Sequence, residues 1–157
     1  LNEANNDYVI IHDGARPFIP LASMEEIFSN LVEKEAITLG VPVKETIQKV
    51  IGNRVVETLK RDELFIVQTP QAFKKALIIE AHQKAIKNSF LGTDDTMLIQ
   101  KFLGKDTHIV MGDYRNIKLT TLDDIKLLDF IVNGDPMFVV VLIPIYPSVV
   151  IVKIFLA

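Results

Sequence analysis

The stretch Tyr8-Val9-Ile10-Ile11-His12-Asp13-Gly14-Ala15-Arg16-Pro17 decides how this sequence is read. Tyr8 to His12 is a short apolar run that ends in Asp13-Gly14, the pattern of a buried strand feeding a loop. Pro17 and Pro20 punctuate that loop. From Leu21 the apolar positions are Leu21, Met24, Ile27, Phe28, Leu31 and Val32, which form one stripe of a helix with Glu and Asn on the other side. Ala36 to Val43 (AITLGVPV) is nearly uncharged and rich in β-formers, so it predicts a second buried strand. Strand, helix and strand in succession already point to layered α/β architecture.

The pattern continues to the C-terminal side. Gly52-Asn53 lies between two β-rich runs and predicts a hairpin, an arm over residues 44–62. Leu64 to Val67 predicts a short strand running into Thr69-Pro70. Ala72 to Lys87 predicts a helix with Phe73, Ala76, Leu77, Ala81 and Ala85 on one face. Thr93-Asp94-Asp95 reads as a helix start, a Thr cap with carboxylates in the first turn. Thr107 to Met111 predicts a strand closed by Gly112. Thr121-x-x-Asp124 opens a last helix with Ile125, Leu128 and Ile131 inward. The expected fold is α/β with mostly parallel strands and an inserted β-arm. Ligands of such sheets bind beyond the carboxyl ends of the strands, where Asp13, Thr69 and Lys118 are expected.

Composition narrows the chemistry. The 157 residues contain no Cys and no Trp and carry a formal net charge of −3. The absence of Cys excludes disulfide scaffolds, thiolate zinc sites and a Cys nucleophile. A mildly acidic chain without basic runs argues against non-specific nucleic-acid binding. No signal peptide or transit segment is visible, so the expected location is cytoplasmic. The last 21 residues differ from the rest: 17 are apolar and Lys153 is the single charge. That length matches a bilayer, but Pro144, Pro147 and the lack of a basic flank argue against a membrane anchor. A segment so rich in Val and Ile is prone to β-aggregation.

Several polar residues admit two readings. In His12-Asp13-Gly14-Ala15-Arg16, His12 is either satisfied by backbone or part of a site. Asp13 is either a loop carboxylate or a hard oxygen ligand for Mg²⁺, and Arg16 either its ion-pair partner or a support for a phosphate. A His-Asp metallohydrolase would need more His ligands, and His82 and His108 fall in a surface helix and near a strand start. Lys118 lies in Asn116-Ile117-Lys118-Leu119-Thr120, an alternating stretch that puts it on the side of Asn116 and Thr120. It is either a solvated edge residue or a cation aimed at a transferring phosphoryl group. Gln68-Thr69-Pro70-Gln71 is either a strand cap or a phosphate-binding turn. Arg61 sits in Lys60-Arg61-Asp62-Glu63, a mixed charge run that ordinarily marks a solvated face.

Taken in order, HDGARPF, VPVKET, RDELFIVQTPQAF, GTDDTMLI and GDYRNIKLTTLDDI resemble the 2-C-methyl-D-erythritol 4-phosphate cytidylyltransferase family of isoprenoid-precursor synthesis. The resemblance spans roughly residues 6–132. Ribitol-5-phosphate cytidylyltransferases form a sister family with a similar QTPQ-F and N-x-K-x-T signature. The stretch Val41 to Thr46 and the pair Asp94-Asp95 are more similar to the erythritol family.

The resemblance implies a Rossmann-like nucleotidyltransferase sheet and a homodimer built through the β-arm. It also implies transfer of a cytidylyl group from CTP to methylerythritol phosphate, with release of pyrophosphate and participation of Mg²⁺. Position by position, it implies that Asp13 holds Mg²⁺, that Lys118 steadies charge at the α-phosphate and that Arg16 supports the substrate pocket. By the same carry-over, Thr69 and Thr93 contact the substrate phosphate or diol, and Thr46 and Arg61 reach the partner's site. Two departures accompany it. The family's Gly-rich, basic loop for the CTP triphosphate has no match here, so residues 1–133 are expected to correspond to the C-terminal two-thirds of the domain. The tail 134–157 has no counterpart in the resemblance.

Overall fold

In a computed structural model, the described residues are 7–124, Phe138–Val140 and Val149–Ile151. The elements in chain order are β1 (Tyr8–Ile11), β2 (Phe18–Pro20), α1 (Leu21–Lys34), β3 (Ala36–Pro42), β4 (Gln48–Ile51), β5 (Arg54–Thr58), β6 (Phe65–Lys74), α2 (Lys75–Lys87), α3 (Asp95–Leu103), β7 (His108–Met111), β8 (Phe138–Val140) and β9 (Val149–Ile151). A 3₁₀ turn, Arg61–Glu63, follows the arm.

The central sheet has the order β7-β3-β6-β1-β9. β1, β3 and the second half of β6 are buried on both faces, because successive side chains of a strand point to opposite sides. Val9, Ile11, Ala36 and Phe73 pack with Leu77, Ile78, Ala81 and Ala85 of α2 and with Leu98 and Ile99 of α3. Ile10, Ile37, Leu39, Ala72 and Val110 pack on the opposite face with Ile27 and Leu31 of α1. The result is three layers, helix–sheet–helix. Each fully buried side chain such as Ile10, Ile37 or Phe73 contributes about 1.5–3 kcal/mol by leaving water.

The α/β class is as expected, but the sheet is mixed rather than mostly parallel. β7 runs parallel to β3 and β9 parallel to β1, whereas β6 is antiparallel to both β3 and β1. The reason lies in β6 itself. It runs for ten residues, straight through Thr69-Pro70, whose peptide bond is cis. The short strand expected over Leu64–Val67 is therefore only the first part of a long one. Ala72 and Phe73, expected on a helix face, belong to its end, and α2 starts at Lys75. Ala76 is exposed, and Ile78 takes the buried place beside Leu77.

Smaller corrections have similar causes. Leu21 and Val32 of α1 are 51% and 75% exposed, leaving Ile27 and Leu31 to anchor the helix. Phe18–Pro20, expected as loop, pairs with β8, and β9 extends the sheet beyond β1. These two pieces of the apolar tail thus add strands. The cap of α3 is Asp94, whose carboxylate accepts from the Met97 amide at 2.8 Å, and not Thr93. At the last predicted helix, the Thr121 amide donates to Asp124 Oδ2 at 2.8 Å and the Asp124 amide to Thr121 Oγ1 at 3.2 Å, a reciprocal cap. Ile125, Leu128 and Ile131 lie outside the described residues.

The arm is the expected hairpin. β4 and β5 pair antiparallel across Gly52, whose φ of +59° is the left-handed conformation such a turn requires. Ile47, Val50, Ile51, Val55 and Val56 are all exposed on it. Its base is tied down: the Leu59 amide donates to the Ile47 carbonyl, the Val43 amide to the Leu64 carbonyl, and the Lys44 ammonium lies 3.5 Å from the centre of the Tyr114 ring.

Candidate active site

The antiparallel course of β6 creates the site. Ile11, the last residue of β1, pairs with Gln71, so Thr69 and Gln68 pass just beyond the carboxyl end of β1. Thr69 is mid-strand, not at a strand end, yet it faces the loop that carries Asp13 and Arg16. The segment after β7 closes the other side. It is irregular rather than an alternating strand: Asn116 is fully buried while Lys118 and Thr120 are exposed.

Hydrogen bonds join the three segments. The Asp13 amide donates to Thr69 Oγ1 at 3.0 Å, and Thr69 Oγ1 lies 3.0 Å from His12 Nδ1. His12 Nε2 is 2.8 Å from the Arg16 carbonyl. Arg16 Nη1 donates to the Asn116 carbonyl at 2.7 Å, and the Leu119 amide donates to the Ala15 carbonyl at 2.8 Å. Asn116 Nδ2 donates to the Thr69 carbonyl at 2.9 Å and to Gln68 Oε1 at 3.3 Å. Gln68 Nε2 in turn donates to the Asp113 carbonyl. A methyl group on Gly112 would overlap Gln68 Oε1, so a side chain there would require this amide to shift.

Lys118 and Asp13 form an ion pair, Nζ to Oδ2 at 2.8 Å, with the carboxylate mostly covered and the ammonium 46% exposed. Asp13 Oδ1 accepts the Ala15 amide. Burial pushes the Asp13 carboxyl up, but the Lys118 bond, the Ala15 amide and the charges of Lys118 and Arg16 outweigh it and hold the group below the usual carboxylate value. Burial lowers the His12 imidazole, opposed by its bond to the Arg16 carbonyl and by the Asp13 charge. Arg16 keeps one buried donor, Nε, without a partner among the described residues. This face therefore brings together a fixed cation, a carboxylate, a guanidinium and an oriented hydroxyl, of which the two cations are suited to oxyanions.

The hydrogen bonds just described do not include the remaining candidates. Thr93 is exposed at the start of α3, its hydroxyl on Met97 Sδ at 3.5 Å. Its neighbour Asp94 is bound by Gln71 Nε2 at 3.2 Å, and Gln71 is anchored on Thr38, so β6 positions the start of α3. Thr46 and Arg61 line one open pocket of about 480 Å³ with Thr58, Leu59, Lys60, Asp62 and Glu63. Arg61 donates to the Lys44 carbonyl at 3.0 Å. His82 Nε2 lies 2.7 Å from Asp95 Oδ1. The buried amides Gln68, Gln71 and Asn116 are not singled out by the sequence. Only their polarity within apolar surroundings hints at them.

Both the sequence and this arrangement of strands match known proteins. Residues 1–134 match the family model described as IspD, 2-C-methyl-D-erythritol 4-phosphate cytidylyltransferase. The chain belongs to this family. Among curated IspD proteins it is 43% identical over 129 residues to that of Bacillus pumilus, covering 82% of this chain and 56% of that protein. It is 46% identical over 127 residues to that of Geobacillus thermodenitrificans, covering 81% and 55%. The crystal structure of the Thermus thermophilus IspD superposes with a TM-score of 0.75 at 29% identity, covering 84% of this chain and 64% of that one. The 4-diphosphocytidyl-2C-methyl-D-erythritol synthase of Anaerococcus prevotii gives 0.75 at 32%, covering 81% and 57%. The chain thus spans about half the length of the curated IspD relatives it matches, and the tail beyond residue 134 lies outside the match. No helix among the described residues is long and apolar enough to cross a membrane.

Proposed function

We propose that this chain serves cytidylyl transfer from CTP to 2-C-methyl-D-erythritol 4-phosphate, supplying the acceptor-side residues and the cation that meets the developing charge. The observation that carries the reading is the Lys118–Asp13 pair set beside Arg16 and Thr69. An oxygen of the acceptor phosphate attacks the α-phosphorus of CTP, the bond to the bridging oxygen of the β-phosphate breaks, and pyrophosphate leaves with that electron pair. Little covalent work falls to the protein; positioning and charge stabilisation dominate. Lys118 meets charge on the α-phosphate oxygens. Arg16 and the hydroxyls of Thr69 and Thr93 hold the acceptor phosphate and diol.

Mg²⁺ fits Asp13 on donor chemistry, since a hard cation takes one or two carboxylates and completes its shell with phosphates and water. Among the described residues no group of three or more His, Asp or Glu side chains could hold a metal, so Asp13 is the protein's contribution. When bound, the ion neutralises charge on the triphosphate. The arm pairs with a second copy, and Thr46 and Arg61 then face the partner's site. The exposed Ile47, Val50, Ile51, Val55 and Val56 support this: an isolated hairpin is marginal in water and needs a surface to pack on. The protein acts in the cytoplasm.

A second reading, supported by the exposed apolar residues of the arm, is that the chain binds sugar phosphate and dimerises without turnover. Pyrophosphate release from CTP separates the two. Release that depends on methylerythritol phosphate supports transfer; saturable binding of methylerythritol phosphate without release supports the second reading.

A further inference from the structure

His12 touches two of the proposed site residues and adjoins a third, yet the transfer reading leaves it unused. Its two contacts fix its chemistry. Nε2 faces the Arg16 carbonyl at 2.8 Å, which can only accept, so Nε2 carries the proton. Thr69 Oγ1 accepts the Asp13 amide and lies 3.0 Å from Nδ1. With Nδ1 bare, the Thr69 hydroxyl donates its one proton to the ring. The chain of donors then runs in a single direction, from the Asp13 amide through Thr69 and His12 to the Arg16 carbonyl.

We propose that His12 is a positioning residue that, as the neutral Nε2–H tautomer, aims the Thr69 hydroxyl and sets the loop carrying Asp13 and Arg16. With its proton committed to the ring, Thr69 turns a lone pair outward and receives a donor rather than giving one. A phosphate oxygen cannot occupy that place unless it carries a proton, but a hydroxyl of the acceptor polyol can. This deepens the transfer reading and rests on it: Thr69 recognises a diol hydroxyl, and Arg16 takes the anionic oxygens. A proton on Nδ1 would oppose the Thr69 proton and reverse that hydroxyl. The charged groups facing the ring are Asp13 and Arg16 on its own loop and, through Asp13, Lys118; β6 faces it with the uncharged Thr69.

Two measurements on the full chain test this. Nitrogen-15 spectra of the histidine rings at neutral pH should show His12 protonated on Nε2 alone. Thr69→Val should then move the Nδ1 signal toward that of an unbonded ring nitrogen. A ring protonated on Nδ1, a cationic ring, or an Nδ1 signal indifferent to Thr69→Val would overturn the proposal. Affinity for methylerythritol phosphate is the second readout. His12→Asn retains an acceptor near Nδ1 and should keep most of the affinity, whereas His12→Gln retains only the donor near Nε2 and should lose about five- to ten-fold, the scale of one neutral hydrogen bond. The reverse order would also overturn it. If the unmutated chain binds no methylerythritol phosphate, the transfer reading fails, and the ring spectra alone decide the role of His12.

Discussion

The ammonium of Lys118 lies 2.8 Å from Oδ2 of Asp13, so the cation proposed for the α-phosphate and the carboxylate proposed for Mg²⁺ neutralise each other across the site. Each partner is drawn away only by a competitor that carries the other's charge: a phosphate oxygen for Lys118, a metal ion for Asp13. Were a triphosphate and Mg²⁺ both to bind, Lys118 and Asp13 would each exchange its partner for another of the same charge, so that neither would be left unpaired.

Lys118→Ala should lower turnover far more than it weakens acceptor binding, because the charge it meets grows only in the transition state. The expected loss in kcat is at least about 10²-fold, the scale of one oriented donor at a developing charge. Steady-state kinetics of pyrophosphate release measures it, and a kcat near that of the unmutated protein would return Lys118 to a solvated ion pair.

Asp13→Asn should raise the Mg²⁺ concentration needed for half-maximal rate while leaving the loop intact, since Asn Oδ1 still accepts the Ala15 amide that Asp13 holds at 3.1 Å. A Mg²⁺ titration of the rate is the check. An unchanged requirement would remove Asp13 from the metal.

Asn116→Leu should destabilise the fold by about 1–3 kcal/mol, the cost of leaving buried polar groups unpaired. The Thr69 carbonyl and the Gln68 Oε1 both lose their donor from a fully buried side chain. Urea denaturation reads the change, and the Lys118→Ala variant, altered at an exposed ammonium, should lose much less.

Acid should destabilise the fold through His12 before it does so through the carboxylates. Burial holds the folded-state His12 below the ordinary value of 6.5, so the unfolded chain binds its proton first. The stabilisation from neutral His12 is complete above that value and is lost as pH falls from there through the lower folded-state pKa. Asp13, whose carboxyl is depressed below 3.8, loses its share only as pH falls from that value. Thermal midpoints should therefore fall as pH is lowered from about 7.5 to about 5.5, with a smaller fall in His12→Asn. Equal slopes for the two proteins would exclude His12 as the source.

Much of this is legible in the sequence, for reasons that differ by element. The run Tyr8 to Ile11 is apolar along its length because both faces of β1 are covered, and such a run reads directly as a buried strand. Gly52-Asn53 marks a hairpin because its turn needs positive φ, and the arm is where that pair places it. β6 is hidden because a proline ordinarily ends a strand, and nothing local in the sequence marks this one as running on through Pro70 to Lys74. With β6 cut short at the proline, the sheet reads as parallel and Phe73 as helical. Among the candidate residues, Asp13, Arg16, Thr69 and Lys118 are joined by hydrogen bonds and an ion pair, whereas Gln68 and Asn116 act through long-range hydrogen bonds that no spacing along the chain encodes.

Charge placed on the arm should abolish association. Val55→Asp or Val50→Lys puts a charge on the cross-strand pair Val50–Val55, exposed on one face of the hairpin, which a two-fold partner would have to bury twice. Sedimentation should show a dimer for the unmutated chain at micromolar concentration and a monomer for either variant. A monomer from the start would show that the arm serves its own subunit, with Arg61 held on the Lys44 carbonyl as observed.

The most direct test of the account is calorimetric titration of the chain with 2-C-methyl-D-erythritol 4-phosphate and, separately, with ribitol 5-phosphate. The account predicts saturable binding of the erythritol compound, tighter than that of the ribitol compound and weakened by Arg16→Ala. Equal or tighter binding of ribitol 5-phosphate, or no binding of either, would contradict it.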